Sequence, residues 1–195
     1  MNKGAKQQVI EEPLLEGKNI TLEGLTKKHV SQRYADWLND KEICRENSHG
    51  RYLNTLEMTE NYVTRVDHSE TIAVFAIIDK HTSQHIGNIS LGNISWENNS
   101  AEIAILIGEK DFWGKGIASE AYSLVIDYGF NKLGLHRLYS GMTTRNKAMI
   151  KVAEKSGMSY EGTFKDAFYK DSQYCDLAQY AIINPQHKIS GGKSG

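Results

Sequence analysis

Three strand-like segments in the middle of the chain, followed at once by a glycine-containing loop and a helix, most constrain how it can fold. The segments cover 71–79, 85–94 and 101–108, and short polar stretches separate them. Connections this short join neighbouring antiparallel strands, so the pattern predicts a three-stranded meander. The helix after the loop carries apolar side chains along one stripe, at Ile117, Ala121, Leu124, Val125 and Tyr128.

Weaker patterns on either side extend this alternation of strands and helices. They predict, in order, a strand at 20–22, a helix capped by Thr26, a helix over 55–66, a strand over 137–142, a helix over 146–156, and a hairpin of 161–169 and 173–184. With the meander and the long helix, the predicted order is β-α-α-β-β-β-α-β-α-β-β. This order is typical of an α/β domain with a mixed, mostly antiparallel sheet and helices on both faces.

The two prolines of the chain, Pro13 and Pro185, bracket this alternating region. We therefore expect one domain over 13–185, because 195 residues are enough for one sizeable core and too few for two. The polar residues 1–12 and the residues 186–195, which end in Gly, Ser and Lys, are expected to be flexible tails.

The composition and charge are those of a soluble globular protein. Hydrophobic residues make up 39% of the chain and charged residues 24%, and the formal net charge is -1. This balance gives no electrostatic reason to expect nucleic acid or an anionic membrane as a partner. The longest apolar run, 72–78, is too short to cross a bilayer and no signal peptide is evident, so we expect a cytoplasmic protein. Cys44 and Cys175 lack the spacing of a metal site, and no metal is expected.

The segment that carries chemistry is the glycine-containing loop at 111–121, which reads Asp-Phe-Trp-Gly-Lys-Gly-Ile-Ala-Ser-Glu-Ala. Gly114 and Gly116 let the backbone approach a ligand closely. Because the loop opens a helix, free backbone N–H groups and the positive end of the helix dipole point at the same place. This geometry binds phosphate or pyrophosphate.

Three other interpretations of the glycines are open to the same residues. A dinucleotide-binding turn needs G-x-G-x-x-G, which 114–119 approaches, but no parallel βαβ set surrounds it. A Walker A loop would end at Gly192-Lys193-Ser194, but His187 replaces its first glycine and no helix follows. The third interpretation is a glycine turn that only lets a helix begin.

Motifs in three parts of the chain favour a fourth interpretation. Residues 112–121 match the pattern Phe/Trp-Trp-Gly-Lys-Gly-x-Ala-[S/T]-Glu-Ala, and 146–158 match Asn-x-x-Ser-x-x-x-x-Glu-Lys-x-Gly-Phe with Met149 and Met158 in place of Ser and Phe. Glu161-Gly162-Thr163 and the hairpin tip at 169–176 complete the set. With these motifs the chain resembles the GCN-five-related N-acetyltransferases (GNAT family), in particular their RimJ/RimL-like branch, from about 20 to 183.

The resemblance implies a fold and a set of residues that bind acetyl-CoA as the co-substrate. In the family, the strand before the loop splays from its neighbour, and the pantetheine arm pairs with that strand like an added one. Carried over to this chain, the donor-binding residues are Ile105, Leu106, Ile107, Phe112, Trp113, Gly114, Lys115, Gly116, Ile117, Ala118, Asn146, Lys151 and Lys155. The first three would supply main-chain contacts, the loop would hold the pyrophosphate, and the two lysines would reach the adenosine phosphates.

The resemblance also implies direct attack of a primary amine on the thioester. No Cys or Ser lies in a nucleophile motif, so no covalent enzyme intermediate is expected. A bound ammonium must lose a proton, and Glu102 at the start of the 101–108 strand is the expected general base. The tyrosine that often serves as general acid in the family is replaced by Ala153, and Tyr139, Tyr160, Tyr169 and Tyr174 are the substitutes considered.

The acceptor is the least constrained part of the interpretation. A Y-x-x-W-L-N-D segment at 34–40 and a following arginine-containing turn resemble branch members that acetylate nucleotide-linked amino sugars, with Trp37, Arg51 and Tyr52 as acceptor-binding residues. A protein N-terminus, a polyamine or an aminoglycoside are alternatives, as is a non-catalytic acetyl-CoA-binding module. The partner is thus a small-molecule or peptide amine, and the protein is a monomer or a homodimer.

Overall fold

The computed structural model describes residues 15–186, so Pro13 and nearly all of the two predicted tails lie outside the described residues. The strands are β1 Leu15–Glu16, β2 Ile20–Gly24, β3 Ala73–Asp79, β4 His85–Ser95, β5 Ser100–Ile107, β6 Arg137–Thr143, β7 Ser159–Lys170 and β8 Gln173–Ile183. The helices are α1 Gln32–Asn39, α2 Leu56–Asp67, α3 Ile117–Asp127 and α4 Lys147–Lys155. The predicted limits of the domain stay a prediction.

The strands form one sheet in the order β1-β2-β3-β4-β5-β6-β8-β7. Among the described residues, β5 and β6 make the one parallel pair, and every other neighbouring pair is antiparallel. The predicted mixed, mostly antiparallel sheet and the meander of β3, β4 and β5 are confirmed. The sequence missed β1, because a strand of two residues is too short to show an alternating pattern.

The predicted start of the first helix is wrong. Thr26 begins a short 3₁₀ turn over Lys27–His29, and its backbone N–H donates to Nδ1 of His29 at 3.1 Å. The chain then extends at Val30, and α1 begins after Ser31, whose hydroxyl accepts the N–H of Tyr34 at 3.2 Å. A Thr and a Ser so close together are both acceptable caps, and the sequence alone does not choose between them.

The helices predicted over 55–66 and 146–156 are confirmed, whereas the connection predicted over 170–172 is one residue too long. Thr55 caps α2 by accepting the N–H of Met58, and Asn146 caps α4 by accepting the N–H of Met149. The hairpin of β7 and β8 turns through two residues with positive φ, Asp171 and Ser172. A two-residue turn of this kind matches the twist of the strands that it joins.

The sheet has a separate apolar layer on each face. One face packs against α3 and α4 in a core that includes Ile103, Ile117 and Tyr122. The other packs against α1 and α2 in a smaller core that includes Trp37, Val63 and Ala76. Because side chains alternate along a strand, β5 sends residues to both layers.

The parallel seam between β5 and β6 is short and then opens. Register pairs join Ser100, Ala101 and Glu102 of β5 to 137–139 of β6, and beyond them the two strands separate. Ser140, which follows on β6, turns its hydroxyl to the carbonyl of Ile103 at 2.9 Å and receives the hydroxyl of Tyr122 at 3.0 Å. A side chain thus replaces the next main-chain link, and the backbone of β5 from 104 to 107 is left open on this side.

Candidate active site

The glycine loop lies at the wide end of the opening between β5 and β6. Gly114 has φ of +73° and Gly116, which precedes the first turn of α3, has φ of +85°. A Cβ at either position would meet no protein atom within 4 Å, so the requirement for glycine here is one of backbone conformation. The first N–H groups of α3 therefore point into open space beside the loop.

A cleft of about 590 Å³ runs from this loop along β5. Twelve of the thirteen residues expected to bind the donor line it: Ile105, Leu106, Ile107, Phe112, Trp113, Gly114, Gly116, Ile117, Ala118, Asn146, Lys151 and Lys155. The exception is Lys115, whose ammonium lies over the ring of Phe112 at 5.6 Å. Trp113 also donates its indole N–H to the carbonyl of Ile107 at 3.0 Å, which fixes the loop to the end of β5.

The opposite wall of the cleft belongs to the loop after α1, which was expected to bind the acceptor rather than the donor. Glu42, Ile43, Arg45, Glu46 and Asn47 line the cleft from this side. No pattern in the sequence indicates that these residues lie at the donor cleft, because the loop reaches the cleft only through contacts with strands that lie far away in the chain.

Two anchors hold this loop, here called the bridging loop (40–54). Lys170 at the tip of the hairpin donates to the carbonyls of Cys44, Asn47 and His49 at 2.8, 3.0 and 2.9 Å. On the other side, one carboxylate oxygen of Glu46 accepts from the Thr143 hydroxyl at 2.6 Å and from Nε of Arg145 at 3.0 Å.

A second cavity, of about 820 Å³, lies on the other face of β4 and β5, beneath α1 and α2. Its polar lining residues are Tyr34, Asn47, Ser48, His49, Asn54, Thr59, Asn61, Tyr62, Arg65, Asn88 and Ser90. Among the described residues, none that lines it is an Asp or a Glu. This acceptor-side cavity is therefore rich in amides and carries one arginine, without a carboxylate.

The cleft and the acceptor-side cavity share Asn47, Ile105 and Leu106. The open backbone of β5 thus separates the two spaces at these residues. A molecule in the cleft and a molecule in the acceptor-side cavity can meet at this point, which is the arrangement that a transfer reaction between two substrates needs.

The three residues expected to bind the acceptor do not line either space. Trp37 is 4% exposed and packs beneath Gly108, where an added Cβ would lie 2.0 Å from its ring. Its indole N–H donates to Glu109 at 2.9 Å. Arg51 and Tyr52 are exposed on the bridging loop, outside the residues that line the cavity.

Glu102 lies on the acceptor face of β5, at the end where β5 still pairs with β6. It shares this face with Ala104 and Leu106, and its carboxylate accepts from the amide of Asn93 at 2.8 Å. Glu102 does not line the acceptor-side cavity, but Ser90, which pairs with Ala104, does.

The tyrosines considered as general acids lie elsewhere. None of Tyr139, Tyr160, Tyr169 and Tyr174 lines the cleft or the acceptor-side cavity. Burial raises the pKa of Tyr34 and of Tyr62, which do line the cavity, so both stay protonated at neutral pH. Burial also lowers the pKa of His49 on the bridging loop, and the nearby Lys170 ammonium lowers it further.

Residues 15–186 contain no group of three or more His, Cys, Asp and Glu side chains that could hold a metal ion. No helix within that range is long and apolar enough to cross a membrane.

A family model described as the acetyltransferase (GNAT) domain, of the type Acetyltransf_3, matches residues 19–159. The chain belongs to the GNAT acetyltransferase family. The predicted fold and the N-acetyltransferase class of this GNAT protein are thereby confirmed.

Related sequences are N-acetyltransferases with different names. The uncharacterized N-acetyltransferase YoaA of Bacillus subtilis is 27% identical over 180 residues, which cover 89% of this chain and 98% of YoaA. The uncharacterized N-acetyltransferase p20 of Bacillus licheniformis is 33% identical over 58% of this chain and 63% of its own length. Spermidine N(1)-acetyltransferase of Escherichia coli is 33% identical over 54% of this chain and 58% of its own length. The chain thus matches less than two thirds of the length of p20 and of the spermidine enzyme.

Solved structures share the GNAT fold. A spermidine N-acetyltransferase from Vibrio cholerae in complex with CoA and spermine has a TM-score of 0.78 at 23% identity, over 85% of this chain and 96% of that one. RimL, a ribosomal-protein acetyltransferase in complex with coenzyme A, has a TM-score of 0.78 at 20% identity, over 86% and 95%. At these identities the likeness establishes the fold alone.

Proposed function

We propose that this protein transfers the acetyl group of acetyl-CoA to a primary amine held in the acceptor-side cavity. The observation that carries the proposal is the open backbone of β5, which lies between the cleft and that cavity. The donor would lie in the cleft with its thioester along Ile105 and Leu106. The amine would reach this thioester from the acceptor-side cavity.

The donor would be held mainly by main-chain groups. The N–H groups of the glycine loop and the positive end of α3 suit a pyrophosphate. Lys151 and Lys155 line the same cleft and suit the adenosine phosphates. The side-chain oxygen of Asn146 already accepts the N–H of Met149, so its amide nitrogen is the group that would donate to the pantetheine arm.

The transfer needs one base and one stabilising donor. As the amine nitrogen bonds to the thioester carbon, the carbon–sulfur bond breaks, the amine loses a proton, and the thiolate leaves to be protonated by solvent. A backbone N–H on the open side of β5 would stabilise the negative charge that develops on the carbonyl oxygen.

We assign the base to Glu102, acting through ordered water. Glu102 is four residues from Leu106 on one strand, which is about 13 Å, so direct contact with an amine at Leu106 is excluded. Ser90 and the small Ala104 lie between them on the same face and leave a polar path for water.

The lining of the acceptor-side cavity favours a neutral or anionic acceptor over a polyamine. A polyamine carries several positive charges and is best held by carboxylates, which the described lining lacks. Arg65 lines the cavity and suits a phosphate or a carboxylate, so a nucleotide-linked amino sugar is the first candidate and a peptide N-terminus the second.

The proposal is tested by release of free thiol from acetyl-CoA with an amino-sugar nucleotide, spermidine, kanamycin and alanine- or serine-ended peptides. We expect turnover with the sugar nucleotide or a peptide, and loss of acetyl-CoA binding in Gly114→Asp, which places a side chain and a negative charge in the loop. Binding of acetyl-CoA without turnover of any amine would favour a non-catalytic module instead. Absence of acetyl-CoA binding would refute the proposal.

A further inference from the structure

One buried polar group beside the junction of the two spaces has no partner. Asn88 on β4 is 8% exposed and lines the acceptor-side cavity. Its amide nitrogen makes no hydrogen bond with any described residue. Asn88 pairs with Leu106 across the β4–β5 ladder, so it lies next to the place where the thioester would be attacked.

The orientation of the Asn88 amide is fixed by its neighbour His85. One ring nitrogen of His85, Nε2, lies 3.0 Å from the carbonyl of Gly87 and 2.9 Å from the side-chain oxygen of Asn88. A carbonyl can only accept, so we assign the proton to this nitrogen, and the side-chain oxygen of Asn88 then accepts from it. The amide nitrogen of Asn88 must then point away from His85.

His85 itself has little freedom to turn. Its ring packs edge-on against the rings of His29, Tyr34 and Trp37, with centroids 5.4, 5.6 and 5.0 Å away. This packed aromatic cluster therefore holds His85 in place, and His85 in turn holds the Asn88 amide.

A buried donor without a partner is unfavourable, and an occupant that supplies an acceptor atom removes the penalty. The ammonium groups of a polyamine only donate hydrogen bonds, so they leave the Asn88 donor unpaired. An acceptor molecule with a carbonyl or hydroxyl oxygen near its amine would pair with it.

We propose that Asn88 determines acceptor specificity by donating a hydrogen bond to an oxygen three bonds from the reactive nitrogen. Amino amides and vicinal amino alcohols carry such an oxygen, and polyamines do not. The distance follows from the register, because side chains directly opposite on paired strands lie about 5 Å apart. This inference rests on the proposed function and refines it.

The test measures binding in the presence of CoA, so that it does not depend on turnover. Phenylalaninamide is compared with 2-phenylethylamine, which lacks the amide, by calorimetry on wild type and on Asn88→Asp. The carboxylate of the variant can still accept from His85 but offers the cavity no donor. We expect the affinity ratio of amide to amine to fall roughly 10-fold or more in the variant. The two amines differ in pKa, but this difference is the same for both proteins. The affinity ratio of amide to amine in wild type is therefore compared with the same ratio in Asn88→Asp.

Asn98→Asp is the control, since Asn98 is exposed on the turn between β4 and β5 and lines neither the cleft nor the acceptor-side cavity. It adds the same negative charge and should leave the affinity ratio unchanged. A second readout uses the wild-type protein: the side-chain amide resonance of Asn88 should shift with phenylalaninamide and stay in place with 2-phenylethylamine.

Three results would overturn the inference: equal loss of both ligands in Asn88→Asp, the same change in Asn98→Asp, or no binding of phenylalaninamide to wild type. Thiol release is measured separately on the same samples. A selective effect on binding without turnover of any amine would leave the role of Asn88 standing and reject the proposed transferase activity.

Discussion

At the scale of single residues, Glu102 carries the sharpest catalytic prediction. Glu102→Gln keeps the shape of the side chain and removes the proton acceptor. We expect kcat to fall about 100-fold at neutral pH, within the range that a general base contributes, while the KM for acetyl-CoA stays unchanged. Steady-state thiol release measures both.

Glu97→Gln is the control for this change, because Glu97 is an exposed glutamate on the turn between β4 and β5. It should leave both constants unchanged. If Glu102→Gln lowers kcat less than about threefold, the proton goes elsewhere, and Glu102 serves only to hold Asn93.

Gly108 makes a prediction about packing. An added Cβ would lie 2.0 Å from the ring of Trp37, which is held by its neighbours and by Glu109. We expect Gly108→Ala to lower the free energy of unfolding by about 3 kcal/mol, the upper range for overpacking a core. Gly162→Ala, where a Cβ would meet nothing within 4 Å, is the control, and denaturant unfolding followed by fluorescence is the measurement. Equal stability of the two variants would contradict the packing at Trp37.

At the scale of elements, the bridging loop depends on a residue from the hairpin tip. Lys170→Met keeps the aliphatic part of the side chain and removes three hydrogen bonds to the loop carbonyls. We expect a higher KM for acetyl-CoA and faster tryptic cleavage at Arg45 or Arg51, because the loop opens more often.

Lys165 on the exposed surface of β7 offers the matching control, Lys165→Met. It also removes one tryptic site outside the loop and should leave cleavage within the loop unaffected. Equal cleavage of the loop in wild type and Lys170→Met would mean that Glu46, with Thr143 and Arg145, holds the loop without help.

How far the elements could be predicted depends on whether their signal is local. The glycine loop and the helix that starts near Asn146 depend on adjacent residues, and both were predicted. The hairpin was predicted with a connection of three residues, 170–172, whereas Lys170 still pairs with Gln173 and only 171 and 172 form the turn. The separation of β5 from β6 depends on the Ser140 hydroxyl reaching Ile103, which no spacing in the sequence indicates. Asn88 reads as an ordinary polar residue in a strand until its pairing with Leu106 is known. The same reason explains why the bridging loop was not expected at the donor cleft and why Trp37 was expected in the acceptor-side cavity.

At the scale of the whole molecule, stability should depend on the protonation of His85. Burial lowers the pKa of His85 from about 6.5 to about 4, while the hydrogen bond to Asn88 acts in the opposite direction. The unfolded chain therefore binds a proton that the folded protein refuses between these two values, and stability falls as pH drops through this window. His29 and the aromatic rings face His85, and Arg33 donates to its carbonyl, so no carboxylate among the described residues contacts the ring.

The lowered pKa of His85 corresponds to about 3 kcal/mol of folding stability, and solvent at the partly exposed ring reduces this contribution to about 2 kcal/mol. We expect wild type to lose about that much more stability between pH 7 and pH 4 than His85→Gln does. Chemical denaturation at a series of pH values measures this difference, and titrating carboxylates cancel in the comparison. Parallel pH profiles of the two proteins would show that His85 titrates normally in the folded state.

The short seam between β5 and β6 divides the sheet into two parts that share one core beneath α3 and α4. Within residues 15–186, only three register pairs link the half made of β1 to β5 with the half made of β6, β8 and β7. The separation of β5 from β6 beyond these pairs sets the width of the cleft. Lys170 and Glu46 hold the bridging loop against the second half of the sheet at the open side of the cleft. These contacts therefore limit how wide the cleft can become. A donor that fills the cleft would contact Ile105 and Leu106, which also line the acceptor-side cavity. The acceptor would then meet a wall whose shape depends on the bound donor.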